Sequence, residues 1–234
     1  MNLRSAVAKT NKRGMLLVFP INNKKEPPSL WYEFFPRTKM RWEWDDEGDS
    51  RVADLWHLRE RLSCSRQVVY SKWFRGRATL ISFELFTAML ALYRSRSGRL
   101  GPYAQEILDL LMEDSPLSTK QLKKLSGLQG RSLEGLYTRS LKELWTRGLI
   151  VGFGEVDEGA FPSLAVGATQ RIFEEHWDRS ARLDQLEAAQ IVSGYLPKGS
   201  AFRKYFDQTL EIKPAQSRAE ARAPSADDES VDSL

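Results

Sequence analysis

A helix-start signal at Ser118 is the local feature that most constrains how this chain can fold. Ser118 stands at an N-cap position and Gln121 follows three residues later, which is the pattern of a capping box. Leu117 and Leu122 occupy the two positions of a hydrophobic staple, and Gly127 is placed to end the same helix. These residues predict a short helix whose entry direction is fixed.

Two more helices are predicted on either side of this one. The first begins with Pro102 at an initial helical position after Gly101. The third runs from Arg131 to about Arg147, and Gly148 stands where a C-cap glycine belongs. Its apolar residues follow the 3.6-residue helical period, and they are Leu133, Leu136, Tyr137, Leu141, Leu144 and Trp145.

A two-stranded hairpin follows the third helix. Residues 149–156 and 161–166 are apolar enough to form strands, and the Asp-Glu-Gly sequence between them favours a turn. Thr169 is placed to cap one more helix. Three helices followed by a hairpin predict a winged helix-turn-helix, a fold that most often places one helix in the DNA major groove.

The region before residue 100 predicts a separate α/β unit. We expect strands at residues 15–20 and 37–44, and helices after Ser29, after Asp49 or Ser50, and after Ser82. Residues 67–82 are rich in strand formers on both sides of Arg75-Gly76-Arg77, so a hairpin and one long bent strand are both possible.

The predicted fold is therefore α+β, a winged helix-turn-helix with a basic N-terminal α/β unit packed against it. The expected segments are a disordered basic N-terminus (1–14), the N-terminal α/β unit (15–99), the winged-helix domain (100–183), C-terminal helices (184–212) and a disordered tail with an acidic end (213–234).

Positive charge is unevenly distributed along the chain. The net charge is +4, yet residues 1–99 contain 19 Lys and Arg against 10 Asp and Glu, and residues 115–150 contain 7 against 2. This distribution favours a polyanionic partner such as DNA, although solvated side chains on ordinary surfaces would give the same counts.

The predicted third helix and the one before it supply the candidate DNA contacts. In the helix-turn-helix geometry, residues near the start of the recognition helix contact base edges and basic residues around them contact phosphates. The candidates for bases are Arg131, Ser132, Gly135 and Arg139, and the candidates for phosphates are Lys120, Lys123, Lys124 and Lys142.

A second basic group lies at residues 72–77. Lys72, Arg75 and Arg77 alternate with Trp73 and Phe74, and such a mixture suits a single strand, with the rings stacking on bases and the cations holding phosphates. The alternative is that both rings belong to the core while the charges face outward.

The predicted wing tip is acidic, with Glu155, Asp157 and Glu158 around Val156. A carboxylate close to a phosphate is repelled, so this wing is not expected to contact the DNA backbone. We expect it instead to be able to contact the basic N-terminal unit of its own chain.

Several classes of protein are disfavoured by the sequence. It has no run of eighteen apolar residues, so no membrane span is expected, and one cysteine with two separated histidines makes a disulfide framework or a metal site improbable. The lone cysteine favours the cytoplasm. We expect no cofactor. Carboxylates adjoin tryptophans at Trp42, Trp44, Asp45 and Asp46, but a strand leading into an acidic turn explains them more simply.

Two stretches resemble AlkZ-related winged-helix proteins, relatives of the bacterial AlkZ/YcaQ-type DNA glycosylases. They are LWHLRERLSCSRQVVYSKWFRGRATLIS (55–82) and LKELWTRGLIVGFGEVDEGAFPSLA (141–165), and the likeness covers about residues 30–180. The resemblance implies a DNA-binding scaffold connected with DNA repair. The Gln-x-Asp or Gln-x-Gln pair of those glycosylases is absent, so no catalytic residue is assigned.

The sequence therefore predicts a winged-helix protein that binds duplex DNA, including damaged DNA. Two alternatives stay open: a glycosylase of the AlkZ-related kind with altered catalytic residues, and a winged-helix module that binds proteins only.

Overall fold

The computed structural model describes residues 1–41, 49–96, 98–156 and 162–211. The helices in these residues are α1 (Leu3–Arg13), α2 (Leu30–Phe34), α3 (Ser50–Cys64), α4 (Phe83–Arg96), α5 (Pro102–Glu113), α6 (Thr119–Leu125), α7 (Glu134–Thr146), α8 (Thr169–Ile172), α9 (Glu174–Arg182), α10 (Gln185–Tyr195) and α11 (Ala201–Glu211). The strands are β1 (Met15–Leu17), β2 (Val69–Ser71), β3 (Thr79–Ile81), β4 (Leu117–Ser118), β5 (Ile150–Val156) and β6 (Ser163–Ala168).

The described strands form one antiparallel sheet in the order β1-β3-β2-β5-β6-β4. Its two halves come from distant parts of the sequence and meet where Tyr70 of β2 pairs with Gly152 of β5. A Cβ atom at residue 152 would lie 2.3 Å from Cδ1 of Tyr70, so glycine is needed for this close approach. The chain is a mixed α and β protein, as the sequence predicts.

The half of the sheet made by β1, β2 and β3 has helices on both faces. Side chains alternate between the faces of a strand, and Leu17 and Ile81 pack in a cluster with α4, α10 and α11. Leu16 and Leu80 point to the other face and pack with α1, α2 and α3. Both faces are thereby buried, which explains why every residue of these short strands is buried and most are apolar.

A third cluster holds α5, α6 and α7 against β4, β5 and β6. Its fully buried members include Ile107 of α5, Leu122 of α6 and Leu144 of α7. Ile150 and Val166 of the hairpin complete it. Through this cluster, α6 and α7 pack against the β5–β6 hairpin, which the sequence predicts to be the wing.

The local signals around Ser118 are confirmed. The Ser118 hydroxyl accepts a hydrogen bond from the Gln121 amide at 3.0 Å, and the Gln121 side chain accepts one from the Ser118 amide at 2.9 Å. Pro102 begins α5. The expected cap at Thr169 is wrong: Thr169 is the first residue of α8, and its hydroxyl donates to the Gly148 carbonyl at 2.6 Å instead. Within the expected C-terminal segment, α10 and α11 are separated around Pro197.

The expectation of disorder for residues 1–14 is wrong for Leu3–Arg13, which form α1. The side chain of Asn2 caps this helix by accepting from the amide of Ser5 at 2.8 Å. Only Ala6 and Thr10 are fully buried in it. These two residues are too small to give an apolar period in the sequence, so the packing that orders the helix cannot be recognised there.

The strand expected at residues 37–44 is not present in residues 37–41, and residues 42–44 lie outside the described part of the chain. In this segment the backbone forms hydrogen bonds with side chains instead of with another strand. The side chain of Asn23 donates to the Met40 carbonyl at 2.9 Å and accepts from the Met40 amide at 2.7 Å. The indole of Trp31 donates to the Thr38 carbonyl at 2.8 Å. These bonds replace those of a sheet.

The structure also settles the form of residues 67–82 and moves the start of the third helix of the predicted winged helix. Residues 67–82 form a hairpin rather than one bent strand, because Arg75 and Gly76 both adopt positive φ between β2 and β3. Helix α7 begins at Glu134 and not at Arg131, since Gly130 has a φ of 98° and residues 131–133 form a turn. The expected tail at 213–234 lies outside the described residues.

Candidate nucleic-acid interface

Helix α6 presents lysines to solvent on the side opposite its buried Leu122. Lys120 and Lys124 are exposed, whereas Lys123 is half-buried and forms an ion pair with Glu134 of α7. The Nζ atom of Lys123 also lies 5.7 Å from the ring centre of Tyr137. Lys123 is therefore already neutralised, and we assign it to the joint between the two helices.

Helix α7 has one apolar and one polar side. Tyr137, Leu144 and Trp145 are buried, and the Tyr137 hydroxyl donates to the backbone carbonyl of Thr119 at 2.8 Å, which fixes α7 against the start of α6. Burial raises the pKa of Tyr137, so this hydroxyl keeps its proton at neutral pH. The contact between α6 and α7 thus includes the Tyr137 hydroxyl and the Lys123–Glu134 ion pair.

The remaining predicted contacts are exposed. Gly135 is open, with no atom within 4 Å of the position that a Cβ would occupy. Arg131 and Ser132 lie in the turn before α7 rather than on it. We call the exposed basic residues of this region the α6–α7 face, and they are Lys120, Lys124, Arg131, Arg139 and Lys142.

The second predicted group, at residues 72–77, is built differently. Trp73 and Phe74 are 2% and 1% exposed, so the idea that they stack on bases is wrong and the core alternative is confirmed. Their rings pack on α11, with Trp73 and Tyr205 at 5.0 Å and Phe74 and Phe202 at 4.9 Å between centres. The space that a base would need is filled by the protein itself.

The cations of this second group have different environments. Arg75 and Arg77 are exposed, and the guanidinium of Arg75 lies 5.3 Å from the ring centre of Phe74. Lys72 is half-buried, and burial together with the nearby guanidinium of Arg59 lowers its pKa. Because this hairpin packs on α11 and the α6–α7 helices pack on α5, the two basic groups belong to different clusters.

Sequence reasoning missed a buried ionic group between α3 and β5. Arg59 donates to the carboxylate of Glu155 and lies 3.4 Å from the Tyr70 hydroxyl, and the Arg59 and Glu155 side chains are only 5% and 9% exposed. We call Arg59, Glu155 and Tyr70 the Arg59 cluster. Burial raises the pKa of Tyr70, so the phenol stays protonated and neutral.

A bulge in β5 brings the two partners of this ion pair together. The register with β6 shifts between Gly152 and Glu155, and Gly154 has a φ of +83°, which glycine adopts without steric cost. The Gly154 amide donates to the Ser63 hydroxyl of α3 at 3.1 Å. The only sequence signal for this contact is the pair of glycines around Phe153, since Arg59 and Glu155 are 96 residues apart.

Glu155 therefore faces α3 instead of solvent, and its negative charge is paired with Arg59. The expectation that an acidic wing contacts the basic N-terminal unit is confirmed for this residue. Contrary to the expectation from the sequence, Glu155 is not exposed to repel phosphate, because its side chain is buried and paired. Asp157 and Glu158 lie outside the described residues, as do Trp42, Trp44, Asp45 and Asp46.

A family model described as AlkZ related matches residues 1–209. The chain belongs to the AlkZ-related family. The match extends over nearly every described residue, including both the α6–α7 face and the Arg59 cluster. No curated protein and no solved structure matches the chain.

Within residues 1–41, 49–96, 98–156 and 162–211, no helix is long and apolar enough to cross a membrane. The same residues contain no group of three or more His, Cys, Asp or Glu side chains that could hold a metal ion.

Proposed function

We propose that this AlkZ-related protein binds duplex DNA, including damaged duplex DNA, through a winged helix in the cytoplasm, in a role connected with DNA repair. The observation that supports the proposal most directly is the α6–α7 face. It contains five exposed cations, namely Lys120 and Lys124 of α6, Arg139 and Lys142 of α7, and Arg131 in the turn before α7.

The order of the elements supports a winged helix. Helix α5, strand β4, helices α6 and α7, and the β5–β6 hairpin follow one another and share one core. In helix-turn-helix proteins the second helix of the pair enters the major groove with its first residues at the base edges. By that rule α7 is the recognition helix, and Arg131, Ser132, Gly135 and Arg139 are near the bases.

The remaining cations of the α6–α7 face suit phosphate contacts. Lys120 and Lys124 lie on α6, and Lys142 lies further along α7. Lysine binds phosphate as a point charge, so such contacts position the helix without selecting a sequence. Gly135 leaves room for the DNA backbone or a base to approach α7 closely.

Family membership supports the connection with repair, because the family takes its name from the AlkZ-type DNA glycosylases. The proposal assigns binding alone to this chain and no covalent step. The Gln-x-Asp or Gln-x-Gln pair of those glycosylases does not occur in the sequence.

A titration of fluorescently labelled duplex DNA at several salt concentrations tests the proposal. Each phosphate contact contributes about −0.9 to the slope of log affinity against log salt, so a slope of about −3 to −5 is expected. The double variant Arg131→Ala, Arg139→Ala should weaken binding at least about 30-fold, since each good arginine contact is worth roughly 1–3 kcal/mol.

Arg179→Ala with Arg182→Ala provides the matched control. Both arginines are exposed on α9, outside the α6–α7 face, and their loss changes the net charge equally. This control should retain almost all of the affinity. Absent binding, or binding that does not depend on salt, would instead favour a module that contacts proteins only.

A further inference from the structure

Four exposed cations of the α6–α7 face lie outside every ion pair of the described residues. Within those residues, no carboxylate oxygen lies within 4.0 Å of their side-chain nitrogen atoms. The four are Lys124, Arg131, Arg139 and Lys142. The face therefore has positive charge that the described part of the chain leaves uncompensated, and it can bind a polyanion.

An apolar side chain is exposed beside these cations. Leu125 is the last residue of α6, directly follows Lys124, and is 56% exposed. A phosphate backbone offers no apolar partner to this leucine. A ligand with both carboxylates and an apolar side chain therefore matches this end of α6 more fully than phosphates alone do.

The chain itself contains a segment of that composition. Residues 227–234, DDESVDSL, have four side-chain carboxylates, no Lys or Arg, and an apolar residue, Val231, among the acids. Residues 213–226 contain three basic side chains and one acidic one. We call residues 227–234 the acidic segment, and their charge is opposite in sign to that of the four cations.

The end of α11 lies close to the end of α7, because both contact α4. Thr209, in the last turn of α11, shares a hydrogen bond of 2.6 Å with the Tyr93 hydroxyl of α4. On the same helix, Cδ2 of Leu90 is 3.0 Å from the position that a Cβ of Gly148 would occupy, just after α7. Leu90 and Tyr93 are one helical turn apart, about 5 Å along the axis, so the chain leaves α11 near one end of the α6–α7 face.

The acidic segment is within reach of the whole face. The chain from residue 211 to residue 227 spans at most about 55 Å when extended. Helix α7 has 13 residues and is therefore about 20 Å long. The connection thus allows the acidic segment to reach both ends of α7.

We propose that the acidic segment binds the α6–α7 face of its own chain and competes there with duplex DNA. Its carboxylates pair with Arg131, Arg139 and the lysines of the face, and Val231 contacts Leu125. The inference rests on the proposed function and adds regulation of the same surface, because DNA has to displace the segment.

The tether makes even a weak contact effective. A short connection gives the segment an effective concentration of about 1 mM, so a contact with a dissociation constant of about 0.1 mM keeps the face occupied roughly ten to one. Duplex affinity should fall by the same factor, and this factor is the quantity to measure.

Neutralising the acidic segment in the full chain is the first test. The variant Asp227→Asn, Asp228→Asn, Glu229→Gln, Asp232→Asn should bind a labelled duplex roughly 10-fold more tightly than the wild type, because the competitor is lost. The gain should be largest at low salt, where the ion pairs of the segment are screened least. It should not depend on protein concentration, since the contact lies within one chain.

A second full-chain variant is the matched control for net charge. Asp54→Asn, Glu174→Gln, Asp178→Asn, Glu187→Gln removes four exposed carboxylates of α3, α9 and α10. Charges more than about 8 Å from bound DNA are largely screened at physiological salt, so duplex affinity should change less than about 2-fold. An equal gain in both variants would assign the effect to net charge and overturn the proposal.

A fluorescent peptide of residues 213–234 tests the contact without DNA. Its receptor is the full chain with the neutralised segment, which no longer competes for the face. Binding should have a dissociation constant of about 0.1 mM and weaken at high salt. Adding Arg131→Ala and Arg139→Ala to the receptor should remove most of it, and a peptide with the four Asn and Gln replacements should not bind.

Leu125→Ser distinguishes the two ligands of the face. In the same receptor it should weaken the peptide roughly 3-fold through the lost apolar contact, while duplex affinity stays unchanged. Leu186→Ser is the control, because Leu186 is 68% exposed on α10, outside the face, and peptide binding should not change. Peptide binding that Leu125→Ser leaves unchanged would refute the contact with Val231.

The outcomes separate this inference from the proposed function. If the wild type and the neutralised variant bind duplex DNA equally and the peptide does not bind, the inference alone is wrong. If neither form binds duplex DNA, the proposed function fails and the competition fails with it, whereas the peptide measurement still decides whether the segment occupies the face. If the peptide binds equally with and without Arg131 and Arg139, it occupies another surface and the proposal is refuted.

Discussion

The α6–α7 face and the N-terminal unit are both rich in Lys and Arg, yet only the N-terminal unit buries one of these cations in an ion pair. On the α6–α7 face the cations point to solvent and the apolar residues point to the core. In the N-terminal unit Arg13 pairs with Glu33, Arg51 pairs with Asp49, and Arg59 is buried against another part of the chain.

This difference teaches that a charge count does not locate a binding surface. Residues 1–99 have the larger positive balance in the sequence, and some of their cations, Arg59 above all, are paired within the fold. Residues 115–150 have the smaller balance and display most of it. Substitutions at Arg59 and at Gly152 and Gly135 test this difference through their effects on stability.

The largest effect is expected from breaking the buried ion pair of the N-terminal unit. Arg59→Ala leaves the Glu155 carboxylate buried without its partner, and removing one member of a buried pair typically costs about 3–5 kcal/mol. Chemical denaturation with urea measures the loss as a decrease in the free energy of unfolding.

Two companion variants sharpen this prediction. Replacing the pair together, as Arg59→Met with Glu155→Leu, should recover much of the stability, because apolar residues of similar size often substitute for a buried pair. Asp207→Ala breaks an exposed pair with Arg203 on α11 and should cost only about 0–1 kcal/mol. Equal losses for Arg59→Ala and Asp207→Ala would show that burial does not determine what an ion pair contributes to stability in this protein.

The α5–α7 region is the part of the fold that the sequence predicts best. Its signals are local: Pro102 begins a helix, Ser118 and Gln121 form a capping box, and the apolar period places Leu144 inward. A helix whose polar side is known from its period also has a known exposed side. For that reason the exposed cations of the α6–α7 face could be listed in advance, even though Arg131 proved to lie in a turn.

The N-terminal unit is predicted less well because its determinants are distant or small. Arg59 meets Glu155 only through a bulge in a strand 96 residues away, and no local pattern in the sequence indicates such a contact. Trp73 and Phe74 stand among cations in the sequence, but α11 covers them. Whether an aromatic side chain is exposed depends on tertiary packing, so the exposure of Trp56 could not be predicted from the sequence alone.

A medium effect is expected where the two halves of the sheet meet. Gly152→Ala introduces a Cβ atom 2.3 Å from the Tyr70 ring, and the ring or the backbone must move to admit it. Overpacking of this kind costs about 1–3 kcal/mol. Thermal denaturation should show a lower midpoint, and the Arg59 cluster, which includes Tyr70, should be disturbed with it.

The same substitution on the α6–α7 side should have the opposite sign. Gly135 lies within α7 and nothing is within 4 Å of its Cβ position, so Gly135→Ala should stabilise the protein by about 0.5–1 kcal/mol through helix propensity. Duplex affinity should fall if DNA approaches this position closely. A destabilised Gly135→Ala protein would mean that the first turn of α7 does not have the open surroundings described above.

The smallest effect is expected from His176, which lies on α9 against α4. Its ring is stacked on Phe83 at 4.0 Å between centres, and its Nδ1 atom is 3.4 Å from the Thr87 hydroxyl. Burial lowers the pKa of His176; Glu175 opposes this shift and Arg179 adds to it. The folded protein therefore prefers the neutral ring, and the stability from this group is complete above the unfolded pKa of about 6.5. As the pH falls below that value, the unfolded chain takes up a proton first and the free energy of unfolding decreases until the folded pKa is passed.

His176→Gln should remove this part of the pH dependence between about pH 7 and 5 in urea denaturation. His57 is exposed on α3, and His57→Gln is the control: it should retain this pH dependence because His176 is still present. A pH dependence that is identical in the wild type and His176→Gln would show that the stack on Phe83 accepts the charged ring as readily as the neutral one.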